Sequence, residues 1–171
     1  EIGFKCIFNK LGPLSNPASA DCYLLGVYAP ELTVMLAHTL RFLGAKLAYI
    51  VHGHDGLDEA TVCAPTRVTE LKDYKINTYD IYPEQLFNRT ADPSEIKGGT
   101  VEENVEITKC ILAGENGPKR DIVLLNALIG LMAAGKVSTL TEGLSWAIES
   151  IDKGYAESKL EALISFYSER G

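Results

Sequence analysis

A strand, a helix and a second strand follow one another between residues 22 and 52, and this order constrains the fold more than any other feature. Residues 22–28 form an apolar run of the length of a buried strand. Pro30 suits the first turn of a helix, and apolar residues recur at helical spacing until Gly44. Residues 46–52 have an apolar middle typical of a strand buried on both faces. Such a βαβ unit predicts a parallel sheet.

The residues after this unit predict the rest of an α/β fold. Strand-forming residues dominate 61–82, with a turn at Lys72-Asp73, and favour an antiparallel excursion. Residues 83–99 are polar and predict a long loop. The remainder is helical: Thr100 and Glu103 resemble a capping box, and further helices are predicted at 121–134, 139–152 and 155–169. We therefore expect a mostly parallel sheet flanked by helices, with an antiparallel excursion near residues 61–82.

Composition limits the possible partners. A length of 171 residues is typical of one domain, and the net charge of −7 disfavours a nucleic-acid binder, which needs a basic face. No apolar run has the roughly 18 residues of a membrane span. The four cysteines form no CxxC pair, which favours reduced thiols in a cytoplasmic protein. Because the chain opens without Met or a capping signal, we expect a piece of a longer protein.

Three acidic residues follow the strand at 46–52. Ligands bind beyond the carboxyl ends of parallel strands, and Asp55, Asp58 and Glu59 lie there. Gathered carboxylates repel one another unless a cation neutralises them, and Mg²⁺ prefers oxygen ligands that it shares with phosphates. The pattern is consistent with a metal site, with solvated turn residues, or with Asp58 capping the following element.

Other polar residues leave several interpretations open. His52 and His54 alternate along the strand and suit zinc, but His52 equally suits packing against the sheet. Asn126, inside the most apolar helix, must find partners for its amide, and we expect it to brace a loop. The Gly- and Pro-rich residues 12–17 predict a rigid loop that either walls a flat aromatic ligand or is only structural. The chain has no GxSxG, Walker or GxGxxG motif.

These residues together resemble anthranilate phosphoribosyltransferases. Residues 7–17 (IFNKLGPLSNP) are similar to the family's F-N-x-L-G-P-L-x-N-P stretch, and residues 25–32 follow in register. Residues 52–59 (HGHDGLDE) resemble its H-G-x-x-G-x-D-E turn. Leu124-Leu125-Asn126-Ala127 and Glu142-Gly143 continue the likeness. The resemblance spans essentially the whole chain in the family's order.

The resemblance implies a two-domain enzyme of tryptophan biosynthesis. Its members transfer phosphoribosyl from phosphoribosyl pyrophosphate (PRPP) to the amine of anthranilate. It implies that Asp58 and Glu59 bind the Mg²⁺ that holds the pyrophosphate, and that Gly12 and Pro13 lie against the anthranilate ring. Residues 1–13 would end the connection from a helical domain, and residues 14–171 would form the C-terminal α/β domain. This large domain would be incomplete, because the helical domain and the first strands of the sheet would lie outside the chain. A homodimer formed mainly by the helical domain is also expected.

The resemblance also implies that parts of both substrate sites lie elsewhere. The family's Gly-rich pyrophosphate loop, its Lys-His-Gly-Asn segment and an anthranilate-binding Arg would all precede Glu1. Lys5 stands where members usually carry a second Arg, and Cys6 replaces the usual Thr; Lys lacks the fork-shaped contact of Arg. We therefore expect the segment alone to be inactive. Two alternatives are a pyrimidine nucleoside phosphorylase and a non-catalytic relative that binds nucleic acid.

Overall fold

A computed structural model describes residues 20–168, which form a four-stranded sheet and a set of helices. In chain order the elements are β1 (Cys22–Gly26), α1 (Glu31–Phe42), β2 (Leu47–Gly53), β3 (Thr66–Lys72), β4 (Lys75–Ile81), α2 (Glu84–Phe87), a 3₁₀ helix (Pro93–Ile96), α3 (Val101–Leu112), α4 (Pro118–Ala133), α5 (Leu140–Asp152) and α6 (Tyr155–Ser168). The α/β class predicted from the sequence is confirmed.

The predicted βαβ unit is present. β1 pairs with β2 in parallel, in a register that places Leu24 opposite Tyr49 and Gly26 opposite Val51. α1 connects them and ends where Gly44 adopts a φ of 86°, a backbone conformation open to glycine. Because both strands run the same way, their carboxyl ends meet at one edge of the sheet.

The antiparallel excursion is confirmed and occupies half of this sheet. β3 pairs antiparallel with both β2 and β4, and the sheet order is β1-β2-β3-β4. The turn lies at Asp73 and Tyr74, one residue later than predicted, and both residues have positive φ, as a two-residue hairpin turn requires. Within residues 20–168 the sheet is therefore mixed rather than mostly parallel, with one parallel and two antiparallel pairings.

Helices cover both faces of the sheet. Alternate residues of a strand point to opposite faces, so β2 contributes to two separate cores. Ala48 and Ile50 pack in one core with the buried face of α1, whereas Tyr49 and Val51 pack in the other with α4. The α4 residues in the second core are Leu125, Leu128, Ile129, Met132 and Ala133. Burial on both faces explains the nearly continuous apolar sequence of β2.

The segment predicted as a long loop, residues 83–99, is not irregular throughout. This segment contains α2 and the 3₁₀ helix, and the latter begins with a capping box between Asp92 and Glu95. Local capping by an Asx residue and Pro93 at the first helical position stabilise such a short element within a polar sequence. The capping box between Thr100 and Glu103 at the start of α3 was predicted correctly.

The C-terminal helices agree with the sequence prediction to within a few residues. α4 begins at Pro118, three residues before the predicted start, because proline is favoured in the first turn of a helix. Across residues 20–168, no helix is long and apolar enough to cross a membrane. In the same range Cys22, Cys63 and Cys110 are free thiols.

Candidate functional site

A compact turn follows the carboxyl end of β2 and carries the predicted acidic residues. The Gly53 amide donates to Leu57 O (2.9 Å), and the Gly56 amide donates to Gly53 O (2.9 Å). Gly56 has a φ of 96°, a conformation that L-residues rarely adopt. These bonds reverse the chain within a few residues. Asp58 and Glu59 therefore lie beside the end of the parallel pair, where an α/β sheet binds ligands.

Asp55 stabilises this turn from within. Its Oδ1 accepts a hydrogen bond from the Leu57 amide (3.3 Å), and its Oδ2 accepts one from Thr61 Oγ1 (2.6 Å). Thr61 is fully buried, and its hydroxyl also accepts a bond from the Cys63 amide (3.0 Å). Asp55 thus joins the two sides of the Asp58-Glu59 segment, a structural role that the sequence did not distinguish from metal binding.

Replacing Thr61 with Val should therefore destabilise the protein. The substitution keeps the β-branched shape but leaves Asp55 Oδ2 and the Cys63 amide without their hydroxyl partner, so we expect a loss of about 1–3 kcal/mol. Urea denaturation measures this loss. Thr39→Val is the matched control, since Thr39 is only half-buried on α1 and its hydroxyl donates to Met35 O of its own helix; its effect should stay within about 0.5 kcal/mol. Equal effects of the two changes would contradict the role of the Asp55–Thr61 bond.

Gly26, at the end of β1, lies directly against the backbone of Asp58. A Cβ atom at Gly26 would lie 1.6 Å from Asp58 O and 2.7 Å from Asp58 C. No side chain fits in that space, so the glycine permits the acidic turn to pack onto the strand. The position of Asp58 therefore depends on the absence of a side chain in the neighbouring strand.

Asn126 of α4 holds the other end of the acidic segment. Its Oδ1 accepts a hydrogen bond from the Ala60 amide (3.0 Å), and its Nδ2 donates to Ala60 O (2.8 Å). Ala60 directly follows Glu59 and is fully buried. The expectation that Asn126 braces a loop is confirmed, and the braced loop is the one that carries the candidate metal ligands.

The carboxyl group of Glu59 lies in an environment that favours a nearby cation. Partial burial, followed by the negative charges of Asp58 and Asp55, raises the pKa of Glu59 above its ordinary value of 4.5. Glu59 and Asp55 line a cavity of about 590 Å³ together with Lys97 and Asn126. Carboxylates that repel one another beside an open cavity are typical ligands for a hard divalent ion.

The donor set fits Mg²⁺ better than a metal held entirely by protein. Within residues 20–168 no group of three or more His, Cys, Asp or Glu side chains is arranged to hold a metal ion. Mg²⁺ commonly binds through one or two carboxylates and takes its remaining oxygens from water and phosphate. Asp58 and Glu59 would supply that number of carboxylates, and Glu59 lines the cavity.

The raised pKa of Glu59 predicts a pH-dependent stability in the absence of Mg²⁺. An acid whose pKa is higher in the folded than in the unfolded protein destabilises the fold once it ionises. Glu59→Gln should therefore stabilise the metal-free protein at neutral pH. The gain should appear as pH rises above 4.5 and vanish at lower pH, where wild-type Glu59 is protonated in both states. Urea denaturation in EDTA between about pH 4 and pH 8 measures this difference, and a gain independent of pH would refute the interpretation.

The two histidines of the turn have separate structural partners. The buried His52 places Nδ1 2.8 Å from Val27 O, which fixes this nitrogen as a donor and ties the end of β1 to β2. His54 places Nε2 3.4 Å from Asp80 Oδ1. His52 therefore packs against the sheet, the structural alternative to zinc binding. Gly12, Pro13, Lys5 and Cys6 lie outside the described residues, and their predicted roles are not tested by this geometry.

Comparison with known proteins places the chain in a family. Residues 1–157 match the glycosyl transferase family, a/b domain. An anthranilate phosphoribosyltransferase of Desulfatibacillum aliphaticivorans is 54% identical over 170 residues, covering 99% of this chain and 50% of the relative. The chain spans about half the length of the curated relatives it matches.

Solved structures agree in fold. The anthranilate phosphoribosyltransferase of Thermus thermophilus superposes with a TM-score of 0.84 at 40% identity, covering 96% of this chain and 48% of that one. The enzyme of Saccharomyces cerevisiae in complex with PRPP and Mg gives a TM-score of 0.84 at 29% identity, covering 98% of this chain and 48% of that one. Since the match to the a/b domain extends over residues 1–157, most of its length, this chain belongs to the glycosyl transferase family.

Proposed function

We propose that this chain is the C-terminal α/β part of an anthranilate phosphoribosyltransferase. The reaction joins the ribose carbon of PRPP to the amine of anthranilate and releases pyrophosphate, giving N-(5-phosphoribosyl)anthranilate for tryptophan biosynthesis. The observation that carries the proposal is the pair Asp58-Glu59, held on a braced turn at the carboxyl end of β2 beside a cavity. The 54% identical relative supports the same activity.

Asp58 and Glu59 would hold Mg²⁺, which when bound neutralises the charge of the departing pyrophosphate. The raised pKa of Glu59 supports this role, since a cation relieves the repulsion among the carboxylates. Asp55 and Gly26 fix the turn, so that little reorganisation is needed when the substrate binds. Catalysis in this half is positioning and electrostatics, and the reaction needs no acid or base from it.

The remaining features of the proposal extend beyond the described residues. Gly12 and Pro13 would lie against the anthranilate ring, and residues 1–13 would connect the α/β part, residues 14–171, to a helical domain. Lys5 would make a weaker contact than the usual Arg because it lacks the planar fork. A homodimer in the cytoplasm completes the proposal, and the free thiols of Cys22, Cys63 and Cys110 are compatible with a reducing compartment.

Two experiments test this proposal. The complete protein, supplied with PRPP, Mg²⁺ and anthranilate, should abolish the fluorescence of anthranilate, and EDTA should prevent the loss. The isolated chain of 171 residues should leave the fluorescence unchanged under the same conditions. Loss of fluorescence with the isolated chain would refute its predicted inactivity, and no loss with the complete protein would refute the function.

The same samples separate the alternatives. Phosphate-dependent cleavage of thymidine by the complete protein, without activity on anthranilate, would indicate a pyrimidine nucleoside phosphorylase. A gel shift of nucleic acid at low salt would indicate the non-catalytic relative, which the net charge of −7 disfavours. The names of the compared relatives favour neither alternative.

A further inference from the structure

Asn126 presents an amide group to the backbone immediately after the acidic pair. Besides its two bonds to Ala60, its Nδ2 donates its second hydrogen to Ile122 O (2.9 Å). A reversed amide would place Oδ1 against the carbonyl oxygens of Ala60 and Ile122, so only one orientation satisfies the contacts. We call the pair of bonds from Asn126 to the Ala60 amide and carbonyl the Ala60 clamp.

We propose that Asn126 is a positioning residue for the Mg²⁺-pyrophosphate site, acting on Glu59 through the Ala60 clamp. This inference rests on the proposed function and assigns a new residue to it. The clamp satisfies both polar backbone groups of Ala60, so the peptide that follows Glu59 is fixed to α4. Any movement of Asn126 therefore moves the main chain of a metal ligand.

The Ala60 clamp lies beside the candidate metal site and not only beside the core. Asn126 and Glu59 line the same cavity of about 590 Å³. Residues 54–65, between β2 and β3, form no helix or strand, so their position depends on individual contacts such as this one. Mg²⁺ demands near-ideal octahedral geometry with short bonds, and a small displacement of a ligand weakens its binding.

The helix that carries Asn126 is a firm support. The neighbouring α4 residues Leu125, Leu128 and Ile129 are fully buried in the core against β2 and β3. The Ala60 clamp thus attaches a loop at the edge of the core to a helix that is firmly packed within it. Groups that orient metal ligands in this way typically change metal affinity or activity roughly 10- to 100-fold when removed.

The chain contains a matched control with the same chemistry. Asn104 of α3 makes an equivalent clamp on Gly99: its Oδ1 accepts from the Gly99 amide (2.9 Å), and its Nδ2 donates to Gly99 O (3.1 Å). Asn104 is exposed and is not among the residues that line the cavity of Glu59. Comparison of the two clamps separates an effect on the acidic pair from the general effect of losing two hydrogen bonds.

The test compares Asn126→Leu with Asn104→Leu in the complete protein. Leu matches Asn in side-chain heavy-atom count and branching but makes no hydrogen bonds. At residue 126 it removes the Ala60 clamp and the bond to Ile122 O, and at residue 104 it removes the two bonds to Gly99. We expect Asn126→Leu to weaken binding of Mg²⁺ with inorganic pyrophosphate roughly 10-fold or more, measured as a smaller ligand-induced rise in Tm. It should also speed amide hydrogen exchange in residues 54–65 and raise the KM for PRPP, but not that for anthranilate. Asn104→Leu should leave all of these values as in the wild type.

Several outcomes would overturn the inference. A folded Asn126→Leu protein with wild-type affinity for Mg²⁺ and pyrophosphate would do so. If this variant does not fold, Asn126→Ser replaces it in the same assays, and failure of both to fold would assign Asn126 to stability alone.

Wild-type protein that binds Mg²⁺ and pyrophosphate without phosphoribosyl transfer would contradict the proposed function only. Wild-type transfer with an unaffected Asn126→Leu variant would contradict this inference only.

Discussion

The double substitution Asp58→Asn and Glu59→Gln will lower kcat/KM of the complete protein for phosphoribosyl transfer by about 1,000-fold. The two amides preserve the shape of the side chains but carry no charge, so they do not hold a divalent ion beside the pyrophosphate. Loss of metal stabilisation costs several kcal/mol in such reactions, and about 4 kcal/mol corresponds to this factor. The assay is the disappearance of anthranilate fluorescence over a range of Mg²⁺ concentrations.

The matched control removes the same number of charges elsewhere. Asp73 lies in the β3–β4 turn and Glu102 at the start of α3, and both are exposed. Asn tolerates the left-handed backbone of residue 73, so Asp73→Asn with Glu102→Gln should leave kcat/KM and the Mg²⁺ dependence unchanged. An Asp58→Asn, Glu59→Gln protein that turned over at the wild-type rate, with unchanged Mg²⁺ dependence, would remove the basis of the proposed function.

Periodicity predicted the elements of this fold because their signals are local. The apolar run of β2, the helical spacing of α1 and the capping box of Thr100 each depend on neighbours in sequence. How much of the sheet is parallel and how much is antiparallel depends instead on which strands pair with one another. The mixed sheet was therefore predicted only as an antiparallel excursion, and the short helices of residues 83–99 were missed.

The site was predicted only in part, because the contacts that brace it depend on how the loop folds in three dimensions. The sequence places Asp55, Asp58 and Glu59 in one turn but does not distinguish the bracing carboxylate from its neighbours. That distinction comes from Thr61 Oγ1, whose bond to Asp55 requires the loop to fold back on itself. Asn126 was expected to brace a loop because a polar residue in an apolar helix needs partners, but its partner at Ala60 is 66 positions away in sequence.

Gly26 is the residue whose importance the sequence analysis missed. An isolated glycine within a strand pattern is a known sign of close backbone approach. Gly26 has no left-handed backbone, so its conformation alone does not require glycine. The requirement comes from Asp58, which is distant in sequence and packs its carbonyl onto the glycine. Only the three-dimensional contact identifies what the glycine accommodates.

Gly26→Ala is therefore expected to damage both stability and activity. The added Cβ would lie 1.6 Å from Asp58 O, and because both partners are main chain, the strand end or the acidic turn must move. We expect a loss of about 1–3 kcal/mol in the free energy of unfolding from overpacking. Misplacement of catalytic ligands by about 1 Å commonly costs 100-fold in rate, so kcat/KM should fall by roughly that factor. Urea denaturation and steady-state assays of the complete protein measure the two effects.

Gly130→Ala is the matched control for the same chemical change. Its Cβ would meet Leu24 Cδ2 at 3.9 Å, an ordinary contact, and Ala is favoured over Gly inside a helix such as α4 by about 1 kcal/mol. This variant should be as stable as the wild type or more so, with unchanged kinetics. If Gly26→Ala retained wild-type kcat/KM and Mg²⁺ dependence, the turn would tolerate displacement. Asp58 would then not need the position that its contact with β1 imposes.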